Sequence, residues 1–83
     1  MENTATVIFK IHRRDIIVDL EIPLDLTAND LILALNAAYD LQIDTTDINH
    51  CYLKAEHPIA LLRGSKTLAE YGIRNGTIIS HTE

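Results

Sequence analysis

Two neighbouring stretches of the chain, residues 7–12 and 16–22, alternate residue by residue so that each presents one wholly apolar face. A period of two is typical of a half-buried β-strand, because successive side chains of a strand point to opposite faces. Since only a few residues separate the stretches, they are predicted to form an antiparallel hairpin. The connection around Arg13 and Arg14 contains neither Gly nor Asn, so its turn type stays open. The apolar faces comprise Val7, Phe9 and Ile11 in the first stretch, and Ile16, Val18, Leu20 and Ile22 in the second.

A helix is predicted directly after the hairpin. Pro23 ends the second strand because it has no backbone N–H for the ladder. Thr27 is a favourable N-cap, and Asp30 places a negative charge in the first helical turn, where the helix dipole favours it. Residues 28–41 contain neither Gly nor Pro, which is typical of a helix interior. The apolar face that is expected to be buried consists of Leu31, Leu35 and Ala38, with Ile32 and Tyr39 at its edges.

The second half of the chain predicts three short strands. Residues 51–56 alternate like the first two strands, and residues 59–63 and 77–81 are short, largely apolar segments bounded by turn residues. A polar loop over residues 44–49 precedes the first of them, and residues 67–71 are typical of one helical turn. The predicted element order is therefore β-β-α-β-β-β.

These elements predict an α+β fold with a mixed sheet packed on one long helix, because helix and sheet can bury their apolar faces only against each other. The first and last strands are expected to lie side by side and parallel, since the long segment between them supplies the crossover that a parallel pair needs. This arrangement is the β-grasp layout. Residues 6–83 are assigned to the domain and residues 1–5 to a flexible N-terminal tail.

The charge and the cysteine content limit what the domain can bind. The formal net charge is −5 at pH 7, and the sequence has no basic cluster beyond Arg13 and Arg14. Binding of nucleic acid or of an anionic membrane surface would require a basic face, so neither is expected. Cys51 is the only cysteine, which excludes an internal disulfide and is typical of a reducing compartment. With no signal peptide and no membrane-spanning run, we expect a cytoplasmic protein, whose attachment to a membrane through a partner stays open.

The last part of the chain resembles the corresponding part of ubiquitin and its relatives. Residues 67–79 contain a Leu, an acidic residue followed by Tyr, an Ile, a turn, and a strand residue six positions after that Ile. The resemblance implies that the apolar positions close the open end of the sheet and that the Tyr hydroxyl ties the connecting loop to the backbone. Residues 20–31 resemble the strand-to-helix passage of the same fold. The matching positions are Leu68, Tyr71, Ile73 and Ile79.

Within that superfamily the chain is most similar to the YukD/EsaB family, which comprises small free-standing ubiquitin-like proteins of Gram-positive bacteria. The similarity lies in the chain length, in residues 20–23 and 31–38, and in residues 72–76 before the final strand. It implies an accessory, non-catalytic role without a cofactor in type VII (ESX/WXG100) secretion, on the cytoplasmic side. The implied partner is a cytoplasmic domain of a membrane component of the secretion apparatus.

One departure from ubiquitin bears on covalent chemistry. Ubiquitin and the sulfur-carrier relatives end in Gly-Gly, because their tail must pass through a narrow enzyme channel without a side chain in the way. This sequence ends in Ile-Ser-His-Thr-Glu, so conjugation and sulfur carriage are not expected. Two alternatives stay open. One is a carrier that works with an activating enzyme, made as a longer precursor or acting without Gly-Gly; the other is a cytosolic regulator unrelated to secretion.

The side chains that are capable of metal binding or catalysis lie in a pattern that predicts no such site. His50 and Cys51 are neighbours at the start of a strand and should point to opposite faces, so together with His57 they do not predict a metal centre. An inward-facing Cys51 should have a raised pKa and an unreactive thiol. Asp44 and Asp47 are interpreted as part of a solvated loop, with a weak cation site as the alternative. We predict no catalytic, cofactor-binding or metal-binding residue.

The candidate binding surface is the face of the sheet that points away from the helix. Three isoleucines should lie there, and the strand order 2-1-5 places Ile8 between Ile17 and Ile78. An exposed apolar patch usually marks a partner site. The alternative interpretation is that β-branched residues suit half-exposed strands whatever they contact. Leu33 on the outer face of the helix is a weaker candidate. The predicted partner-binding residues are Ile8, Lys10, Ile17, Tyr52, Lys54 and Ile78.

Overall fold

The predicted order of strands and helix is present in the computed structural model of the protein, which describes residues 3–81. The strands are β1 (Thr4–Ile11), β2 (Ile16–Pro23), β3 (Leu53–Glu56), β4 (Ala60–Leu62) and β5 (Ile78–His81), the helix is α1 (Ala28–Tyr39), and 3₁₀ segments lie at His12–Arg14 and Thr45–His50. Within residues 3–81, no helix is long and apolar enough to cross a lipid bilayer.

The five strands form one mixed sheet in the order β2-β1-β5-β3-β4. β1 pairs antiparallel with β2 and parallel with β5, while β3 pairs antiparallel with both β4 and β5. Phe9 of β1 lies opposite Ile79 of β5, so the first and last strands are adjacent and parallel, as predicted. Because α1 packs its apolar face into the same core as the sheet, the predicted α+β class and β-grasp layout are confirmed.

The core lies between α1 and the inward-facing side chains of the sheet. Every second residue of β1 from Ala5 to Ile11 is buried, in agreement with the predicted period of two. The ring of Phe9 is fully buried and contacts the ring of Tyr39, at a centroid distance of 5.4 Å. Leu53 of β3 extends the same buried layer on the far side of β5. The alternate side chains of these strands form the outer face, on which the candidate site lies.

The buried face of α1 is rotated relative to the predicted one. Its buried residues are Ala28, Leu31, Ile32 and Leu35, whereas Ala38 is exposed and its assignment to the buried face was wrong. At about 100° per residue, the stripe through Ala28, Ile32 and Leu35 points at the sheet. Ala38 falls at the edge of that stripe and faces solvent. The helix has 12 residues, about the average in globular proteins, so it is not the long helix that we expected.

Both ends of α1 are capped by side chains. The Thr27 hydroxyl accepts a hydrogen bond from the Asp30 N–H at 3.1 Å, which confirms the predicted N-cap. At the other end, the Arg14 guanidinium donates to the main-chain carbonyls of Tyr39 and Asp40. The last turn of the helix has no basic residue of its own. The connection between β1 and β2 therefore supplies the positive charge that a helix C-terminus favours.

The start of β3 differs from the prediction. The strand begins at Leu53 rather than at residue 51, because the Cys51 N–H donates to the Ile48 carbonyl at 3.0 Å and so closes the preceding segment. That segment is the 3₁₀ stretch Thr45–His50, which lies where the sequence predicted a loop. The Asp44 side chain begins it by accepting a hydrogen bond from the Thr46 N–H at 3.0 Å.

The N-terminal boundary of the domain also differs from the prediction. β1 begins at Thr4, which lies opposite Pro23 at the end of β2, and Ala5 is buried in the core. The Leu24 N–H donates to the Asn3 carbonyl at 2.8 Å. Residues 4 and 5 of the predicted tail therefore belong to the sheet, because the hairpin is longer than its apolar alternation indicated. Residues 1 and 2 of that tail lie outside the described part of the chain.

Candidate protein-binding face

The outer face of the sheet, which points away from α1, is organised in rows that run across the strands. Lys10 of β1 lies opposite Ile17 of β2 on one side and opposite Ser80 of β5 on the other. Lys54 of β3 lies opposite Ser80 and opposite Leu61 of β4. These pairings join all five strands. We call this set the lysine row: Ile17, Lys10, Ser80, Lys54 and Leu61.

A second row lies two residues further along the strands. Ile8 pairs with Ile78 in the parallel ladder between β1 and β5. Asp19 of β2 lies opposite Ile8, and Glu56 of β3 lies opposite Ile78. Both isoleucines are half-buried, whereas both acidic residues are exposed. We call these four residues the isoleucine row, which consists of an apolar pair between two carboxylates.

The strand register places two of the three predicted isoleucines directly opposite each other and the third in the neighbouring row. Ile8 and Ile78 lie directly opposite each other, whereas Ile17 belongs to the lysine row and is diagonal to Ile8. Diagonal neighbours on one face of a sheet are about 7–8 Å apart, which long side chains can bridge. Ile17 is also the most exposed of the three, at 64%. The apolar surface therefore runs obliquely across β2, β1 and β5.

Two exposed apolar side chains in and just before β4 were not among the predicted partner-binding residues. Leu61 is 48% exposed on the outer face, and Ile59, which precedes β4, is 90% exposed. Residues 59–62 are all apolar, so the sequence showed no alternation from which their outward-facing members could be identified. In the structure Ala60 and Leu62 are the more buried members, and Leu61 lies opposite Lys54. The outer face thus has an exposed apolar side chain at both ends of the lysine row.

A concavity of about 310 Å³ borders the lysine row where β3 begins and β5 ends. The predicted residue Tyr52 precedes β3 by one position and lines this concavity rather than the isoleucine row. Lys54 and Ser80 belong to both the concavity and the lysine row. The other described residues that line it are Gln42, Ile43, Asp44, His50, Cys51 and His81.

Cys51, which lines this concavity, is a buried free cysteine. Its Sγ donates to the main-chain carbonyl of Asp44 at 3.3 Å and lies 3.7 Å from that of Asp47. Burial raises the pKa of the Cys51 thiol, and the nearby carboxylates of Asp44 and Asp47 raise it further. Because the thiolate is the nucleophile, a raised pKa keeps the group in its unreactive thiol form at neutral pH.

The carboxylates near Cys51 are engaged in local structure. Two hydrogen bonds from Thr46 to the Asp44 carboxylate lower the pKa of Asp44. The Asp47 carboxylate lies 2.7 Å from His50 Nδ1, one helical turn away. Among residues 3–81, no group of three or more His, Cys, Asp or Glu side chains is arranged to hold a metal ion.

The resemblance to ubiquitin implied that three apolar residues close the open end of the sheet, and the structure agrees. Leu68, Ile73 and Ile79 are all buried. The Tyr71 hydroxyl donates to the Arg63 carbonyl at 2.6 Å and accepts from the Arg63 N–H at 3.3 Å. This hydroxyl therefore ties the connecting loop to the backbone that follows β4, so Tyr71 has a structural role rather than a place on the outer face.

Comparison with known families gives one match that spans nearly the whole domain. A family model described as "WXG100 protein secretion system (Wss), protein YukD" matches residues 6–80. The chain belongs to the YukD family. The predicted membership is thereby confirmed. A comparison with curated protein sequences gave no match.

Solved structures of ubiquitin-like domains resemble this YukD-family chain closely in fold. A ubiquitin-like domain from tubulin-binding cofactor B is 19% identical with a TM-score of 0.73, and the match covers 96% of this chain and 89% of that one. The C-terminal ubiquitin-like domain of mouse tubulin-specific chaperone e is 16% identical with a TM-score of 0.72, covering 95% and 84%. The domain of yeast Ddi1 is 19% identical with a TM-score of 0.61, covering 95% and 90%. At these identities the likeness shows the fold alone.

Proposed function

We propose that this YukD-family protein is a non-catalytic accessory module of a bacterial type VII (WXG100) secretion system that works by docking. In this proposal it acts in the cytoplasm and binds a cytoplasmic domain of a membrane component through the outer face of its sheet. The family match supports the link to secretion. The outer face supports docking, because apolar side chains on a solvent-facing surface usually mark a partner site.

The observation that carries the docking proposal is the exposure of Leu61. A preference of β-branched residues for strands would account for Ile8, Ile17 and Ile78 without any partner. Leucine is not β-branched, yet Leu61 is 48% exposed on the same face. An exposed apolar side chain at each end of the lysine row, with the half-buried pair Ile8 and Ile78 beside it, gives this solvent-facing surface the apolar area that usually marks a partner site.

The chemistry of the remaining side chains supports a binding role rather than catalysis. A nucleophile needs an activating base or a lowered pKa. The environment of the Cys51 thiol acts in the opposite direction, because burial and two carboxylates raise its pKa. A buried free thiol is also consistent with the proposed reducing compartment.

The test compares Leu61→Asp with Leu33→Asp in the native bacterium. Leu33 lies on the outer side of α1 and is 45% exposed, so the two variants make the same chemical change at almost equal exposure on opposite surfaces. Secretion of WXG100 substrates is the functional readout, and recovery of the protein with the membrane fraction is the binding readout. We expect Leu61→Asp, alone or with Ile17→Asp, to reduce both, and Leu33→Asp to leave both unchanged.

A different result would contradict the docking proposal. If the double variant Leu61→Asp with Ile17→Asp retains the thermal stability of the unmodified protein and still supports normal secretion and normal membrane recovery, the outer face is not the docking surface. Because Leu61 is 48% and Ile17 64% exposed, we expect the substitutions to change stability little. A loss of binding with retained folding therefore reports on the interface itself.

A further inference from the structure

The lysine row concentrates positive charge on an otherwise acidic protein. The chain has three lysines and a formal net charge of −5. Two of these lysines, Lys10 and Lys54, flank Ser80 in the same row. The salt bridge described among residues 3–81 joins Asp47 and His50, and no ion pair of Lys10 or Lys54 is found in that part of the chain. The two charges are therefore available to a partner.

The geometry of the row allows one acidic group to reach both lysines. Neighbouring strands lie about 4.8 Å apart, so Lys10 and Lys54 stand about 10 Å apart with Ser80 between them. Ser80 itself is 9% exposed and lies between the two lysines at the floor of the row. A carboxylate held above Ser80 would meet two ammonium groups, and charge-assisted hydrogen bonds of this kind are the stronger ones.

The surroundings of the row indicate what carries the carboxylate. Ile17 and Leu61 lie at the two ends of the row, and the pair Ile8 and Ile78 lies beside it. A small free anion would make no use of these apolar side chains. A nucleic acid would be repelled by the net charge of −5. A protein segment with apolar side chains on either side of an acidic one matches both the two lysines and the apolar side chains of the face.

The isoleucine row would disfavour a bound acidic segment in the wrong position along the strands. Asp19 and Glu56 flank Ile8 and Ile78, one row away from the lysines. If a bound acidic segment slipped by two residues along the strands, its carboxylate would move from Lys10 and Lys54 towards Asp19 or Glu56. Repulsion between like charges would oppose this slip. The alternation of a basic and an acidic row thus favours one position of the partner.

We propose that the lysine row binds a carboxylate-bearing, otherwise apolar segment of the protein partner, with the carboxylate held between Lys10 and Lys54 above Ser80. This inference rests on the proposed docking function and adds the chemistry of the partner. Electrostatic attraction to the two lysines orients the encounter, and the apolar side chains at both ends of the row are buried once contact is made.

The test uses a short synthetic peptide in which Leu and Glu alternate, and a counterpart with Gln in place of each Glu. Each peptide is titrated into ¹⁵N-labelled protein at low ionic strength up to about 1 mM, the range of weak association. We expect the Glu peptide to shift the backbone amide signals of the lysine row and of its neighbours Ile8 and Ile78. The Gln peptide should bind about twofold to thirtyfold more weakly, the range for two exposed ion pairs.

Substitutions of the lysines test whether Lys10 and Lys54 account for the preference for the Glu peptide. The double variant Lys10→Gln with Lys54→Gln should lose the preference for the Glu peptide. Lys66→Gln should keep it, because Lys66 lies over the Tyr71 ring, 4.9 Å from its centroid, and not on the outer face. Added salt should weaken binding of the Glu peptide and leave the Gln peptide less affected. The peptide comparison uses the unmodified protein, so it does not depend on the variants folding.

Three results would overturn the inference: no shifts with the Glu peptide up to the highest concentration, equal binding of both peptides, or shifts confined to another surface. Concentration-dependent broadening of the lysine-row signals without peptide would identify a second copy of the chain as the occupant, and would overturn it too. None of these results affects the secretion test with Leu61→Asp. Failure of the acidic-partner inference and failure of the docking proposal are therefore separate outcomes.

Discussion

The substitution Thr77→Val removes a buried hydroxyl that joins separate parts of the fold. Thr77 has 0% exposure. Its hydroxyl donates to the His57 carbonyl at 2.7 Å and accepts from the Arg74 N–H at 3.1 Å. Its own carbonyl accepts from the Ile8 N–H at 2.9 Å. The residue thus sits where the turn before β5, the connection between β3 and β4, and strand β1 meet.

The expected loss of stability follows from the two backbone groups that valine leaves without a hydrogen-bond partner. Valine keeps the branching of threonine and nearly its volume, so the change isolates the hydroxyl. One carbonyl and one N–H then lose their partner beside a fully buried side chain. A buried polar group left without a partner costs about 1–3 kcal/mol. Because His57 and Arg74 are themselves exposed, water can reach their backbone in part, and we expect about 2 kcal/mol for both groups together. For a domain of this size that corresponds to a fall in Tm of roughly 8–16 °C.

The measurement is urea and thermal unfolding followed by far-ultraviolet circular dichroism, with two control variants. Thr77→Ser keeps the hydroxyl and loses a single methyl group, worth about 1 kcal/mol. Thr6→Val makes the same chemical change at an exposed position of β1 and should stay within about 0.5 kcal/mol of the unmodified protein. We expect Thr77→Val to be the least stable of the three. If Thr77→Val is as stable as Thr77→Ser, the hydroxyl does not hold this junction together and the reasoning is wrong.

Three further predictions concern the helix cap, the acid response and the thiol. Arg14→Met should lower the free energy of unfolding by about 1–2 kcal/mol, because the Tyr39 and Asp40 carbonyls lose their donor, and Arg14→Lys should recover only part of this in urea denaturation. Hydrogen bonds from Thr67 hold the pKa of Glu70 below its ordinary value of 4.5, so the carboxylate stabilises the fold above that pH and loses this contribution as pH falls. The stability difference between the unmodified protein and Glu70→Gln should therefore shrink in acid, and a difference that is independent of pH would contradict the assignment. Finally, iodoacetamide should modify Cys51 far more slowly in the native protein than in urea at neutral pH, as followed by intact mass, because burial and two carboxylates raise the pKa of the thiol; equal rates in both conditions would be incompatible with this site.

The local patterns in the sequence were sufficient for the order of the strands and the helix and for the phase of β1, β2 and β3. The alternation around Phe9 predicts which side chains of β1 are buried, and the structure agrees. Thr27 marks the start of α1 because its hydroxyl satisfies an N–H that the helix itself leaves free. Errors arose where packing overrides local preference. Ala38 is compatible with either face of a helix, since its small side chain contributes little to burial, and the contact of α1 with the sheet decides its exposure.

The long-range contacts had no counterpart in any local pattern. Arg14 and the end of α1 are separated in sequence by strand β2 and the whole helix, yet the guanidinium caps that helix. Nothing in the residues around Arg14 distinguishes it from Arg13. Thr77, just before β5, likewise bonds to His57, just after the neighbouring strand β3. Such contacts depend on where two distant segments meet, which the order of the elements alone does not specify.

The same distinction applies to the candidate site. From the sequence alone, the period of two places Ile8, Lys10 and Lys54 on the outer face of the sheet, because side chains of a strand alternate between its faces. Only the tertiary structure decides that Lys10 and Lys54 stand on either side of Ser80, and that Leu61 ends their row. Alternation within a strand is a local property of the backbone. The register between strands is set by hydrogen bonds and core packing among segments that are distant in the chain, and it is the register that turns scattered residues into one surface.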